Sequence, residues 1–508
     1  MEARRLRIVA LALLLVAVFA TLRLLELDAD PPWPLPNGQS GQELVVEGPA
    51  KAHEARKWAL FDAFDTHPAD QYRFWRAQSP VYVYPLAGWL REVGVGWAQL
   101  KAFGVLATGV GFVVLLVLAA GRWGARGMGA LGVMLGLHFY SIHYCRAGLL
   151  EPYLNTWAIL TVAFGMLALR DLRWSIGMQW CLAGALLVKL SAAYLVPLAL
   201  GLTLVAHRRA HRRGVARWQH ALVLGHGAAL GAALVAYMLS DPYWRTVEWN
   251  FVHMVHDEKG FETPDLTDIP GLAVLGRMVD IRRLGNGLVL VFPVMLWLAV
   301  LRLGVTVHAL FRKRPLSEHL SDLDWVAAAW LLSAWGILQL TPLVRVRFTM
   351  ILFPPMALMA AGGLMLLLDR CSERRGVQLG IVAAAAVALL ATHVRWQVRW
   401  LDEHTTHIHD NNVVMAEAVA GKKATIVGHY ASSMTFDSEA DYFFAKRHFN
   451  LSKEVLEQLP FTHVFSRVGK RDSIRKRVPW RFVGAKPIAE AKFRDRTWTL
   501  LELAPRDE

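Results

Sequence analysis

Cysteine is nearly absent: 508 residues hold three, Cys145, Cys181 and Cys371. They fall at the end of one apolar run, inside another and beside a basic loop, where they cannot pair, so a disulfide-built scaffold is excluded. Acid is also short, with 41 Asp and Glu against 55 Lys and Arg and a formal charge of +14. That excess base forms no stripe; the arginines gather in short clusters between apolar runs, which is not the footprint of a nucleic-acid binder. The chain has no internal repeat and no low-complexity tract. What it has in excess is apolar surface: 55% of residues are hydrophobic, twenty are Trp, and the mean hydropathy is positive. A soluble domain could not hide that much, so the chain reads as an α-helical polytopic membrane protein.

Residues 8–22, behind Arg4, Arg5 and Arg7, read as a membrane anchor in preference to a cleaved signal peptide, because no polar region precedes a clear small-residue cleavage site. Further apolar runs cover 102–120, 128–144, 154–169, 174–188, 192–206, 221–239, 285–301, 325–340, 348–368 and 377–391, several barely long enough to cross a bilayer. This makes about eleven transmembrane helices. Counting Lys and Arg in alternate loops, the set with the N-terminus, 122–126, 170–173, 208–217, 302–314 and 370–375 carries nineteen, and the other set nine. The positive-inside rule then puts the N-terminus in the cytoplasm and the loop 27–100 and the C-terminal tail outside.

In that loop Gly48-Pro49 predicts a helix start, after which Glu54, Trp58 and Phe61 share a face. Ser79-Pro80 opens a second helix to residue 90, with Tyr82, Tyr84 and Trp89 suited to the membrane surface. From about 412 the composition turns mixed: strands are expected at 424–427, 463–465, 481–484 and 498–503 and a helix at 452–459. The expected organisation is therefore a transmembrane domain over 1–400 and a small extracytoplasmic α/β domain over 412–508. Ionisable groups at outer span ends are costly and thus candidates for function. Arg146, Lys189 and Arg347, with Glu151 and Glu54, would line an outward cavity suited to a phosphate, which Arg binds bidentately and Lys as a point charge, leaving a carboxylate to accept a proton.

These residues carry a resemblance. HEARKWALFDAF resembles the acidic motif that follows the first span in GT-C glycosyltransferases, family 39 relatives such as protein O-mannosyltransferases and lipid A aminoarabinose transferase. SPVYVYPLAGWL is similar to their membrane-surface helix, HYCRAGLLEPYLNTW to an outer hairpin with an Arg and an acid, GALLVKLSAAYLVPL to a Lys-containing span turn, and VRFTMILFPPMALMAAGG to an Arg-aromatic span with a Pro pair. The fixed order covers roughly residues 6–368 and makes the set more specific than any one piece. The resemblance implies a GT-C fold in a plasma membrane, the inner membrane of a bacterium. It also implies sugar transfer, with inversion, from a polyprenyl-phosphate donor to a lipid, glycan or protein acceptor on the outer face. Where the family carries Asp followed by an acid, this chain has His53-Glu54. Glu54 takes the base role through its longer reach, or His53 acts instead, or the site is repurposed.

Other readings stay open. Glu54 can solvate a surface helix beside Lys57, Arg146 and Glu151 can pair structurally, Lys189 can snorkel, and Arg345 competes with Arg347. His404, His407, His409 and Asp410 have the composition of metal ligands without their spacing, and the resemblance leaves assistance by a divalent cation open. Tyr243, Trp244, Trp249 and His253 could form a lid over an acceptor or rest on lipid. The alternative to an enzyme is a non-catalytic protein of the same fold, a binder or transporter of lipid-linked glycans, suggested by His53; against a transporter stand the ionisable groups at span ends and the missing repeat. A reporter fused after Glu508 is expected to be active outside the cytoplasm and one near His211 inside; the reverse pattern would overturn the eleven-span topology.

Overall fold

The computed structural model describes residues 2–36, 41–64, 67–247, 292–311, 321–340, 346–446, 449–467, 473–493 and 496–505. Helix α1 spans Glu2–Leu24, and four helices of the loop 27–100 follow: α2 (Gln42–Lys51), α3 (His53–Phe61), α4 (Trp75–Gln78) and α5 (Pro80–Val93). Then come α6 (Trp97–Gly136), α7 (Phe139–Arg146), α8 (Leu150–Ala168), α9 (Trp174–Val188), α10 (Leu195–Arg212) and α11 (Arg217–Met238). Later helices cover Pro293–Phe311, Asp322–Leu340, Phe353–Arg370, Arg375–Leu389, Arg395–Glu403 and His407–Val419. Among the described residues six helices are long and apolar enough to cross a membrane, and Trp174–Val188 and Pro293–His308 are shorter apolar helices. The chain is a multi-pass membrane protein. Helices below that measure include α8, whose first turns carry Glu151 and Asn155 and so lose hydropathy at the end where the candidate site lies.

Expected boundaries move: for the run at 285–301 the part before 292 lies outside the described residues and the helix is Pro293–Phe311. The runs at 102–120 and 128–144 meet within α6 at Gly124, whose φ of 65° reverses the chain between Arg122 and Arg126 in a conformation that suits only glycine. The second of these runs is broken after Gly136. Buried Arg23 donates there to the carbonyls of Leu135 (3.1 Å) and Gly136 (3.1 Å) and to Ser141 Oγ (2.9 Å), satisfying helix-end acceptors that apolar surroundings would leave unpaired. At the basic end, Arg302 and Arg122 meet Asp324 (2.6 and 3.4 Å) and Arg209 forks onto Asp322 (2.7 Å for both bonds). Three of the loops counted together for charge therefore converge on the start of one helix.

The C-terminal segment forms a five-stranded mixed sheet in the order β2-β1-β3-β5-β4, with β1 Thr425–Gly428, β2 Asp441–Phe444, β3 His463–Arg467, β4 Lys486–Phe493 and β5 Arg496–Glu502. Both faces are buried. Ile426, Tyr442 and Phe465 join the core that continues into the bundle, while Val427, Phe443 and Val464 pack under Leu456, Leu459 and Phe461, the two-residue alternation of a strand. The expected strand at 481–484 is instead a 3₁₀ turn, Pro479–Phe482, begun by Pro479 and tied by Arg481 to the Phe461 carbonyl (2.5 Å). Strands β2 and β4 were not expected; β4 carries Pro487, which an edge strand tolerates because its outer N–H needs no partner.

The loop 27–100 and the sheet are locked together. Pro49 lies inside α2, not at a helix start, and its missing N–H frees the Val45 carbonyl, which Ser433 Oγ takes at 2.8 Å. Gly48 is required by proximity: a Cβ there would stand 1.8 Å from the Ala147 carbonyl oxygen. Tyr442 donates to the Pro49 carbonyl (2.8 Å), Lys57 to Asp441 (2.7 Å), and buried Arg56 to the carbonyls of Phe436 (2.7 Å), Thr435 (3.4 Å) and Ser438. The loop and the tail are thus packed against each other through buried contacts.

Candidate functional site

Helix α2 sets the first part of the site. Glu43, Glu47 and Lys51 recur at four-residue spacing on one face, and the apolar positions Leu44, Val45 and Val46 fix that face by burial. Arg347, on a short helical turn at Val346–Thr349, ion-pairs with Glu47 and lies 3.8 Å from both Glu43 and Glu151. Lys189, where the chain leaves α9 extended, donates to Glu151 Oε1 at 2.7 Å. Lys51 lies 3.5 Å from Glu47, and Tyr144 donates to Glu43 at 2.5 Å. Arg347 and Lys189 flank Phe348, each 4.8 Å from its ring centre. The cluster thus balances three cations against three carboxylates. Two valences stay open: Arg347 Nε and Glu151 Oε2 are buried with no hydrogen-bond partner among the described residues.

Burial pushes the Glu47 carboxyl up, but Arg347 and then Lys51 overcome it and hold Glu47 well below the usual carboxylate range. Glu43, farther from Arg347, is raised, because there burial wins. These two glutamates and Lys51 escaped the sequence reading. Their spacing was a helix signal, but placing a helix start at Gly48-Pro49 hid it.

The second part is a cavity of about 490 Å³ lined by Glu54, Phe64, Asp70, Arg73, Arg76, Asp241 and Arg245 among others. Glu54 is 3% exposed and accepts the backbone N–H of Arg76. Burial raises its carboxyl to about 7, against the pull of that hydrogen bond and of the Arg76 charge. Trp75 links the two parts: its ring lies 5.5 Å from Lys51 Nζ, and its backbone N–H also serves Glu54. His53, one residue earlier, turns toward the sheet. Its ring packs 4.7 Å from Tyr442, its Nε2 is 3.7 Å from Asp70 Oδ2, and burial lowers its pKa. Asp70, which lines the cavity, therefore stands between His53 and that space, held by Tyr72 N (2.9 Å) and Asn450 (2.6 Å).

The remaining expected residues are placed as follows. Glu151 pairs with Lys189 and Arg347, not with Arg146. Arg146 donates to the Glu26 carbonyl and lies 5.0 Å from the Trp400 ring, outside the ionic cluster. Of the expected lid, Tyr243 is buried 5.6 Å from Tyr237 and Trp244 is exposed, and neither lines the cavity; Asp241, Pro242, Arg245 and Thr246 do. Trp249 and His253, like Arg345, lie outside the described residues. In the His404–Asp410 stretch, Asp30 caps the helix by accepting from Thr405, His407 N and Ile408 N (2.5, 3.1 and 2.9 Å), while His404 and His409 face Glu26 and Asp28 at 3.7 Å. Among the described residues no group of three His, Cys, Asp or Glu is arranged to hold a metal ion.

No protein-family model and no curated protein matches the sequence. Solved structures do match by shape. ArnT from Cupriavidus metallidurans in the apo state aligns with a TM-score of 0.58 at 13% identity over 97% of each chain, and ArnT bound to undecaprenyl phosphate with 0.55 at 13% over 97% of each. The Archaeoglobus fulgidus oligosaccharyltransferase in complex with Zn and sulfate aligns with 0.54 at 11%, covering 90% of this chain and 68% of that one. At such identities the likeness is one of fold alone.

Native Glu54 keeps its proton to about pH 7, whereas an unfolded Glu releases it near 4.5. Between those values the native state binds the extra proton, so stability falls as pH rises through that window. Glu54→Gln removes this loss. Thermal melts across the window are expected to fall less steeply for the variant than for the parent; identical slopes would mean that Glu54 is not buried in this way.

Proposed function

We propose that the protein is a membrane glycosyltransferase that moves a sugar from a polyprenyl-phosphate donor to a hydroxyl acceptor on the extracytoplasmic face, with inversion. The observation that carries the reading is the convergence of Arg347 and Lys189 on one buried carboxylate, Glu151, with Arg347 Nε 3.8 Å from it and making no hydrogen bond among the described residues. A phosphate supplies the missing acceptor. It takes the Arg347 fork from Glu47 and draws on Lys189 and Lys51. The fold shared with ArnT, one of whose structures holds undecaprenyl phosphate, supports a lipid-phosphate ligand.

The chemistry then divides between the two parts of the site. As the bond between the anomeric carbon and the phosphate oxygen breaks, the phosphate gains a second negative charge, which the cations stabilise where water is scarce. The acceptor oxygen bonds to the opposite face of that carbon and gives its proton to Glu54. A carboxyl that titrates at about 7 suits this role, a substantial share being ionised near neutral pH while it is a stronger base than an ordinary Glu. His53 and Asp70 position the wall beside it. Arg146 stays outside this scheme because the Glu26 carbonyl and Trp400 engage it.

A second reading, a non-catalytic binder of lipid-linked glycans, draws on His53, which is buried against Tyr442 and does not line the cavity. Transfer from radiolabelled polyprenyl-phosphate sugars separates the two. Under the enzyme reading Glu54→Gln lowers turnover by about two to four orders of magnitude with donor binding nearly unchanged. Arg347→Ala or Lys189→Ala weakens donor binding by about 1–3 kcal/mol and acceptor binding less. Donor binding without transfer by the parent, for any acceptor supplied, would favour the binder; a fully active Glu54→Gln would remove Glu54 as the base.

A further inference from the structure

A second concave site lies away from the ionic cluster, where α1 and the last apolar helix leave the membrane on the side of the sheet. It is a cavity of about 220 Å³ between the proline-rich stretch 31–36 and the amphipathic helix Arg395–Glu403. Three indole rings wall it, from Trp33, Trp396 and Trp400. Trp400 is fixed by the protein, not by lipid: it is 7% exposed and its Nε1 donates to the Asp30 carbonyl at 2.9 Å. Asp30 is in turn immobilised as the cap of the following helix, so the proline-rich wall is anchored at its root. Behind Trp33 the sheet supplies Phe493, edge-on at 6.5 Å.

The charged side chains of the helix lining this cavity are opposite in sign and paired, and the lining Asp30 carboxylate is spent on capping the following helix. Arg399 donates to both oxygens of Glu403 at 3.1 and 3.0 Å, and its guanidinium lies 5.4 Å from the Trp396 ring. The pair neutralises itself, so the cavity carries little net pull on an anion, in contrast to a site built for phosphate. It still offers donors from Arg399 and acceptors from Glu403, and His404, whose Nδ1 is spent on the Leu401 carbonyl, turns Nε2 toward Glu26 at 3.7 Å. A ligand that suits such a place is uncharged, donates and accepts hydrogen bonds around its rim, and has apolar C–H faces to lie on indole. A pyranose ring has all three properties. The volume lies below the roughly 300–1,000 Å³ of pockets for drug-sized ligands, which limits the occupant to about one ring.

We infer that this cavity is a sugar subsite that takes one uncharged pyranose of a membrane-held glycan, distinct from the ionic cluster and the Glu54 cavity. The inference goes beyond the transfer reading and does not depend on it. It is tested on the full-length protein in phosphatidylcholine nanodiscs by saturation-transfer NMR, with methyl hexopyranosides in one arm and a neutral monohexosyl diacylglycerol in the bilayer in the other. The parent is expected to show saturable transfer to sugar ring protons in at least one arm, and the arm that responds tells a free glycoside from a lipid-held one. Trp396→Ala and Arg399→Ala are expected to weaken that binding tenfold or more, and Trp174→Ala, an exposed ring on α9, to leave it unchanged. Arg399 is half-exposed and its replacement cannot plausibly unfold the chain, so the test survives a failure of the Trp396 variant. No transfer in either arm, equal binding by the parent and Arg399→Ala, or displacement of the sugar by inorganic phosphate would overturn the proposal. Loss of glycosyl transfer in an assay would not bear on it.

Discussion

Arg347, Lys189 and Lys51 sit together with Glu43, Glu47 and Glu151 at the end of the helix bundle that meets the sheet, and their mutual compensation is the constraint on which the rest depends. A lone buried charge there would be costly enough to neutralise itself or to drag water in, so each ion needs its partners held in place. That need explains features that look unrelated along the chain. Helix α2 must present Glu43, Glu47 and Lys51 on one face, so it is pinned from the other side by the sheet, through Ser433 on the Val45 carbonyl and Tyr442 on the Pro49 carbonyl. The backbone at Lys189 is extended where helix would otherwise continue, which delivers the ammonium to Glu151. Gly48 brings α2 against Ala147, at the end of the helix that supplies Tyr144 to Glu43.

The C-terminal sheet therefore completes the site from behind; it is not an appendage. Its inner face shares a core with the bundle, and β2 and the loop before it take up Lys57 and Arg56 of α3, the helix that also carries Glu54. Trp75 then couples the ionic cluster to the Glu54 cavity through ring and backbone at once. Such an arrangement separates a place for negative charge from a place for a proton acceptor while α2 and α3 hold the two side by side, which is what displacement of a phosphate by a hydroxyl asks of a protein.

Much of this was legible in the sequence because membrane burial leaves a coarse signal. Apolar runs marked the helices, and three of the six basic segments that the charge count grouped together do meet at Asp322 and Asp324. Finer features were lost where one residue type has two uses. Gly48-Pro49 reads as a helix start but is a helix interior whose freed carbonyl has a partner some 390 residues away, which no local pattern reveals. Gly124 hides two helices in one, and Arg23, inconspicuous at the end of the first span, is what breaks the run after Gly136. In the sheet, β4 was obscured by its proline and its charges, both tolerated because it is an edge, while Pro479 turned an apparent strand into a 3₁₀ turn. Among candidate site residues the isolated ones were visible, Lys189, Glu151 and Arg347, since a charge in an apolar run stands out. Glu43, Glu47 and Lys51 were not, since in a polar loop a charge is unremarkable until the fold buries it.

The central claim is that Glu47 occupies on Arg347 the place a polyprenyl phosphate takes, and a binding isotherm for Glu47→Gln tests it directly. Titrating undecaprenyl phosphate into the protein in nanodiscs, the account predicts tighter binding to Glu47→Gln than to the parent, because the competing negative charge is gone while Arg347, Lys189 and Lys51 remain. Binding weakened to the level of Arg347→Ala would contradict it, and would mean that Glu47 positions Arg347 for the phosphate instead of competing with it.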